Sequence, residues 1–183
     1  MRRKCLQAYT FTVQFPAPLD IPASLEIFRR SGDDGIDRWD GRVLVRTARV
    51  ADTVAPFICT VIGTVDVPAL EVTVAHATHA AAIEHAVQTM FVTAPGPLAE
   101  LIAIDPVIAR LEARYPGLRP VLQADFFTAL IRAISTQQVN LQWATTTRRR
   151  LAEAFGSQHT LGSHQVFSLA AVRLAALEAA EAA

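Results

Sequence analysis

The stretch DFFTALIRAISTQQVN, residues 125–140, contains the feature on which the fold prediction depends. An aspartate that can cap a helix precedes a run of apolar residues at helical spacing. The residues predicted to face inward are Phe126 or Phe127, Leu130, Ile131 and Ile134. The run stops at Ser-Thr-Gln-Gln, and a further helix is predicted from about Asn140 to Phe155. The pattern therefore predicts two helices that meet at a polar corner formed by Gln137 and Gln138.

The segments around this corner are also mainly helical in their pattern. Asp105-Pro106 predicts the start of a helix, because the aspartate can cap it and the proline suits its first position. The helix after the corner is expected to turn Leu141, Ala144, Leu151 and Phe155 inward, with Gly156 as its stop. Residues 157–167 are predicted to be a polar loop, and a last helical stretch covers Leu169–Ala183.

The first half of the chain predicts strands together with two helices. The predicted elements are a strand Cys5–Phe15, a helix Leu19–Ser31, strands Phe57–Ile62 and Leu70–Val74, and a helix His79–Phe91 capped by Thr78. Asp40-Gly41 lies before the alternating run Val43-Leu44-Val45 and predicts a tight hairpin turn. This order implies an antiparallel sheet with helices on one face.

We therefore predict an α+β chain with two domains. Residues 1–93 form the antiparallel α+β domain, and residues 94–183 form part of an all-α helical domain. Thr93-Ala94-Pro95-Gly96-Pro97 is predicted to be the linker between them.

Composition excludes several classes of protein. Hydrophobic residues make up 51% of the 183 residues and charged residues 19%, a balance typical of a globular chain rather than a disordered one. The apolar runs are far shorter than the ~20 residues of a membrane span. The two cysteines, Cys5 and Cys59, do not suggest a disulfide framework, and we expect reduced thiols in a cytoplasmic protein.

Formal charge is zero overall but unevenly distributed. Residues 105–155 hold seven arginines against four acidic residues, an excess of three positive charges. Arg148-Arg149-Arg150 can contact phosphates, although successive helical positions point about 100° apart and only two can share a face. A solvated helix surface is the simpler interpretation of these arginines. We nevertheless assign Arg148 and Arg149 to DNA binding.

Two amides at an exposed helix corner can enter a DNA groove or fill a gap in the base stack. From chemistry alone, a polar turn between two helices explains Gln137 and Gln138 more simply. A resemblance to a known family reverses this preference. The residues that carry it are Asp105-Pro106, Pro116-Gly117-Leu118-Arg119-Pro120, Ile131-Arg132-Ala133-Ile134, Gln137-Gln138-Val139, Arg150–Gly156, and in the first half Ser24-Leu25 and Asp37–Gly41.

These segments resemble DNA-3-methyladenine glycosylase II, of the helix-hairpin-helix glycosylase superfamily. The resemblance implies base-excision repair, in which the enzyme flips an alkylated base out of double-stranded DNA and hydrolyses its N-glycosidic bond. It also implies that Gln137 lies beside the base pocket and that Gln138 is the wedge. Relatives often carry an apolar wedge, and a glycine where this chain has Thr136.

The family places a Gly-rich hairpin and then a catalytic aspartate beyond the region matched here. No aspartate follows Asp125, so we assign no catalytic residue and expect the chain to be truncated before the helix-hairpin-helix and inactive alone. We predict no metal site, no cofactor and no membrane partner, and we expect a monomer in the bacterial cytoplasm, associated with the nucleoid. Two alternatives remain open, a non-catalytic DNA-binding or regulatory remnant and an α+β interaction module.

Overall fold

The computed structural model describes residues 8–93 and 95–169. We call residues 8–93 the N-terminal half and residues 95–169 the C-terminal half. Cys5 and nearly all of the predicted helical stretch Leu169–Ala183 lie outside the described residues. The predicted domain boundary at residues 93 and 94 stays a prediction.

The N-terminal half contains five strands and two helices. They are β1 (Tyr9–Gln14), α1 (Ile21–Leu25), β2 (Arg38–Trp39), β3 (Val43–Val50), β4 (Thr53–Val61), β5 (Ala69–Val74) and α2 (Ala80–Gln88). Short 3₁₀ turns follow α1 at Glu26–Phe28 and precede α2 at Ala77–His79.

The C-terminal half contains four helices and then two strands. They are α3 (Pro95–Ile104), α4 (Pro106–Arg114), α5 (Phe126–Ser135), α6 (Leu141–Phe155), β6 (Ser157–Leu161) and β7 (His164–Ser168). Together with the antiparallel sheet, these elements confirm the predicted α+β class. Among the described residues, no helix has the length and apolar character that crossing a membrane requires.

The five strands of the N-terminal half form one antiparallel sheet in the order β1-β5-β4-β3-β2. Alternate side chains of β5 enter its core, because Leu70, Val72 and Val74 are fully buried while Glu71 is exposed. Ile83 of α2 is buried in the same cluster. The sheet and its helices therefore share one core, against which Val121 of the C-terminal half also packs.

The predicted turn at Asp40-Gly41 is confirmed. The Asp40 carboxylate accepts hydrogen bonds from the backbone N–H groups of Arg42 and Val43, and β2 pairs with β3 on either side of the turn. Gly41 has a φ of +106°, which a residue with a Cβ rarely adopts.

Two predictions at the starts of helices were wrong, one for α2 and one for α3. Thr78 lies within a 3₁₀ turn and does not cap α2, whose cap residue, His79, makes no capping hydrogen bond through its side chain. The predicted linker of residues 93–97 overlaps the start of α3, which begins at Pro95. Proline is tolerated in the first turn of a helix, because the N–H it lacks has no partner there.

The caps predicted in the C-terminal half are confirmed. The side chain of Asp105 accepts hydrogen bonds from Val107 and Ile108 N–H, and that of Asp125 accepts one from Thr128 N–H. These contacts join residues two or three positions apart, so the sequence pattern alone determines them.

The predicted inner face of α5 is only partly correct. Phe127 and Ile131 pack against buried Ile36, Ala152 and Leu169. Phe126 is 83% exposed, Leu130 42% and Ile134 56%, and on α6 the predicted inward Leu141 is also exposed. Apolar residues occupy two faces of α5, and only one of these faces has a partner among the described residues.

The predicted polar loop at 157–167 is in fact a β-hairpin. Leu161 and Val166 are its buried apolar residues, and its remaining inward positions are polar, as in the hydrogen bond between His159 and Ser168. Because the hairpin contains few apolar residues, its sequence does not show the apolar alternation that is typical of strands. The backbone N–H of Phe167 donates to Gly35 O at 2.8 Å, which ties the hairpin to the N-terminal half.

Candidate nucleic-acid interface

The two glutamines, which we call the glutamine corner, lie at the exposed junction between α5 and α6. Gln137 and Gln138 are exposed, and so are Val139 and Asn140, the two residues that separate them from the start of α6. The Asn140 side chain caps α6 by accepting a hydrogen bond from Trp143 N–H at 2.8 Å. The predicted placement of two amides at a helix–helix corner is therefore confirmed.

Gln138 adopts a left-handed backbone conformation with a φ of +57°. A residue with a side chain loses about 1–2 kcal/mol in this region relative to the right-handed helical one. Such outliers persist where the surrounding structure fixes the chain, and they concentrate at functional sites. Two non-glycine residues of the described chain have a positive φ, Ala51 in the turn between β3 and β4 and Gln138, the predicted wedge.

A buried group of charges lies beneath the corner and joins the two halves of the chain. This arginine–aspartate cluster consists of Asp34, Asp37, Arg46, Arg132 and Arg148. Asp34 and Asp37 come from the loop before β2, and Arg46 from β3; Arg132 and Arg148 belong to α5 and α6. Its three arginines and two aspartates leave one positive charge in excess.

The contacts within this cluster are short and specific. Arg132 binds Asp34 at 2.9 Å and Asp37 at 2.6 Å through its two terminal nitrogens. Arg46 Nε donates to the other oxygen of Asp37, and Arg148 Nε donates to Asp34 at 2.9 Å. The guanidinium groups of Arg46 and Arg132 also lie over the ring of Phe28, 5.3 and 5.4 Å from its centroid.

In this cluster, charge pairing has a larger effect on the pKa values of Asp37 and Arg132 than burial has. Burial alone would raise the pKa of Asp37, but the positive charges and hydrogen bonds of Arg46 and Arg132 lower it below the ordinary aspartate value. Burial would likewise lower the pKa of Arg132, and the carboxylates of Asp37 and Asp34 raise it instead. Both groups are therefore charged at neutral pH.

A cleft with a volume of about 350 Å³ lies between the corner and the N-terminal half. We call it the corner cleft. Its walls combine aromatic, apolar and cationic side chains, and it is lined by Ile27, Phe28, Arg30, Ser31, Gln123, Arg132, Ala133, Thr136, Leu141 and Arg148. The volume is within the range of small-ligand sites, about 300–1,000 Å³.

The structure separates the two arginines that the sequence assigns to DNA. Arg149 is exposed on α6 and pairs with Glu153 at 2.9 Å, a hydrogen bond that raises the pKa of Arg149. Arg148 is buried and bound to Asp34. The guanidinium group of Arg148 points into the protein. Arg148 therefore stabilises the structure and does not make the predicted contact with a phosphate.

Sequence reasoning did not identify the acidic partners of this cluster. Asp34 is 114 residues from Arg148, and Asp37 is 95 residues from Arg132. No local pattern marks pairs at such separations. The only signal was the Asp37–Gly41 segment, which contributed to the family resemblance without indicating a contact.

Comparison with known proteins establishes the fold. No family model and no curated protein sequence matches the chain. Among solved structures, a 3-methyladenine DNA glycosylase from Archaeoglobus fulgidus matches 86% of this chain and 55% of its own, with 12% identity and a TM-score of 0.70. The structure of MBOgg1 in complex with a low-affinity DNA ligand matches 87% of this chain and 50% of its own, with 20% identity and a TM-score of 0.59.

The chain therefore spans about half the length of these two structures. Its α+β arrangement is the fold of the corresponding parts of DNA glycosylases.

Proposed function

We propose that the chain belongs to a DNA glycosylase, an enzyme that hydrolyses the N-glycosidic bond of a damaged base during base-excision repair. The observation that carries the proposal is the exposed glutamine corner, held in a strained backbone conformation beside a cationic cleft. The glycosylase fold supports the same function. The resemblance in sequence makes alkylated bases of the 3-methyladenine type the first substrate class to test.

The corner has the properties that binding to a distorted duplex requires. An amide side chain can donate to and accept from base edges, and at an exposed corner it can occupy the space that a flipped nucleotide leaves. We propose that Gln138 fills this gap. Gln137, one residue nearer the cleft-lining Thr136, then faces the flipped base.

Exposed arginines at the cleft and on α6 suit a polyanion. Arg30 is exposed at the cleft. Arg149 is exposed farther along α6, the helix that follows the corner, where it pairs with Glu153. Exposed arginines of this kind bind phosphates and make the affinity depend on salt. The partner we propose is double-stranded DNA, bound by a monomer.

No bond-breaking step is assigned to the described residues. The two carboxylates of the arginine–aspartate cluster, Asp34 and Asp37, are buried and bound by arginines, so neither is available to activate water or to stabilise a developing sugar cation. We therefore expect this chain alone to bind DNA without releasing a base. On this expectation the chain would behave in isolation as the DNA-binding remnant that the sequence left as an alternative.

The test compares binding to an intact duplex with binding to the same duplex containing an abasic-site analogue, which offers a ready-made gap. We expect the chain to prefer the gapped duplex and Gln138→Ala to reduce that preference. Arg149→Ala should weaken binding to both duplexes equally and decrease the salt dependence by about one counterion. Arg49→Ala, at an exposed site on β3, is the control.

Equal binding of the two duplexes by the wild-type chain would contradict the proposal, as would a complete absence of binding at low salt. Base release is measured separately with a duplex that carries an alkylated adenine. Release of the base by this chain alone would refute the expectation that it binds DNA without releasing a base.

A further inference from the structure

The guanidinium group of Arg148, on α6, makes three contacts at once: with its own helix, with α5 and with the N-terminal half. Nε donates to the Asp34 carboxylate at 2.9 Å, and Nη1 donates to Ser135 Oγ, the last residue of α5, at 3.1 Å. Nη2 donates to Thr145 Oγ1 at 3.2 Å, and that hydroxyl donates in turn to Leu141 O in the first turn of α6. One side chain thereby ties together the helix before the corner, the helix after it and the N-terminal half.

The anchor at Asp34 is itself immobilised. One of its oxygens accepts hydrogen bonds from the backbone N–H groups of Ile36 and Asp37, at 3.1 and 3.4 Å. The other oxygen is shared by Arg148 and Arg132. A buried carboxylate with this many donors has little freedom to move, so it fixes the position of Arg148.

The contact with Ser135 lies two residues before the glutamine corner. Ser135 Oγ also donates to Arg132 O at 3.2 Å, so its lone pair remains free to accept from Arg148. A left-handed residue such as Gln138 is stable only if the chain on both sides is held. Because Arg148 belongs to α6, its contact with Ser135 of α5 joins the two flanking helices and holds the chain in this way.

We propose that Arg148 is a positioning residue, which sets the glutamine corner at a fixed place relative to the N-terminal half and so prepares Gln138 for insertion into DNA. The proposal rests on the proposed function of the corner. It replaces the direct phosphate contact that the sequence suggested for this arginine. A lysine cannot take over the role, because one ammonium group cannot reach all three acceptors along separate directions.

The experiment uses the full chain and two duplexes, one intact and one with an abasic-site analogue next to 2-aminopurine. The measured quantity is the ratio of the two affinities, together with the rise in 2-aminopurine fluorescence that a side chain entering the gap produces. A loss of folded protein lowers both affinities by the same factor, so the ratio reports the corner and not the overall stability.

We expect Arg148→Lys to lower the affinity ratio about ten-fold and to reduce the fluorescence rise. Ser135→Ala removes only the link to the end of α5 and leaves the ion pair with Asp34. It should lower the ratio about three-fold. Arg110→Lys makes the same exchange at an exposed position on α4 and should leave the ratio unchanged.

A double variant separates positioning from a general structural effect. If Arg148 acts through Gln138, then Arg148→Lys has no further effect on the ratio once Gln138→Ala is present. An equal effect of Arg148→Lys with and without Gln138 would overturn the proposal, as would a wild-type ratio in both Arg148→Lys and Ser135→Ala. If Gln138→Ala leaves the ratio unchanged, the corner is not a wedge, and the proposed function fails together with this inference.

Discussion

Replacing Asp37 with asparagine tests whether the arginine–aspartate cluster stabilises the whole chain. The carboxylate is 2% exposed and binds two arginines from different halves, Arg46 and Arg132. Asparagine keeps the size of the side chain but removes the negative charge. Removing one partner of a buried ion pair costs about 3–5 kcal/mol, because the remaining charge is left uncompensated.

This loss is large compared with the total stability of a typical domain, about 5–15 kcal/mol. For a chain of this size each kcal/mol lowers the melting temperature by about 2–4 °C, so Asp37→Asn should lower it by about 6–20 °C. Circular dichroism during heating and urea unfolding of the purified chain measure the change.

Asp33→Asn is the matched control. Asp33 pairs with Arg38 at 2.8 Å, but the two side chains are 44% and 40% exposed. An exposed pair contributes about 0–1 kcal/mol, because solvent screens it. If Asp37→Asn and Asp33→Asn lowered the melting temperature equally, the cluster would not be the energetic link between the halves.

We also expect the loss of stability in Asp37→Asn to depend on pH. The pKa of Asp37 in the folded chain lies below its ordinary value of 3.8. Its contribution to stability is therefore fully present above that value and is lost as the pH falls through the lowered folded pKa. The difference in stability between wild type and Asp37→Asn should be constant from pH 8 to about 5 and should shrink in stronger acid. A difference that grew on acidification would contradict this sign.

Three further substitutions have defined outcomes. Gln138→Gly should raise the free energy of unfolding by about 0.5–1 kcal/mol, because glycine adopts the left-handed conformation without strain; a lower urea midpoint would contradict this. In a Cys5→Ser chain, Cys59 should not react with Ellman's reagent at pH 8 until urea is added, since burial raises the pKa of its thiol to about 12. Reaction at the rate of a free thiol would show that Cys59 is accessible. Phe126→Ser should change the free energy of unfolding by less than about 0.5 kcal/mol, because the ring is 83% exposed, and it should reduce any self-association seen by light scattering. A loss of stability comparable to that of a core substitution would mean that the ring is covered in solution.

The accuracy of the sequence predictions depends on the distance over which each interaction acts. Capping residues such as Asp105 and Asp125 bond to N–H groups within three positions, so the local pattern identifies them. The glutamine corner was predictable for the same reason, because it is an interruption in a local periodic pattern.

Predictions that needed a partner from elsewhere in the chain were less accurate. The apolar pattern of α5 covers two faces, and only packing against Ile36 and Leu169 determines which of them is buried. Arg148 has the same sequence surroundings as exposed Arg149, and only the distant Asp34 draws it inward. The hairpin at 157–168 fills its inward positions largely with polar groups, so the apolar alternation that marks a strand is missing.

The buried charges also bear on any attempt to divide the protein. A recombinant fragment that ended at residue 93 would keep Asp34 and Asp37 but only one of their arginines, Arg46. The complementary fragment would carry Arg132 and Arg148 without either acid. In each fragment, charged groups that are buried in the whole chain would lose their partners and would have to be hydrated or neutralised. We therefore expect the two halves to fold together as one polypeptide and to be unstable when they are expressed separately.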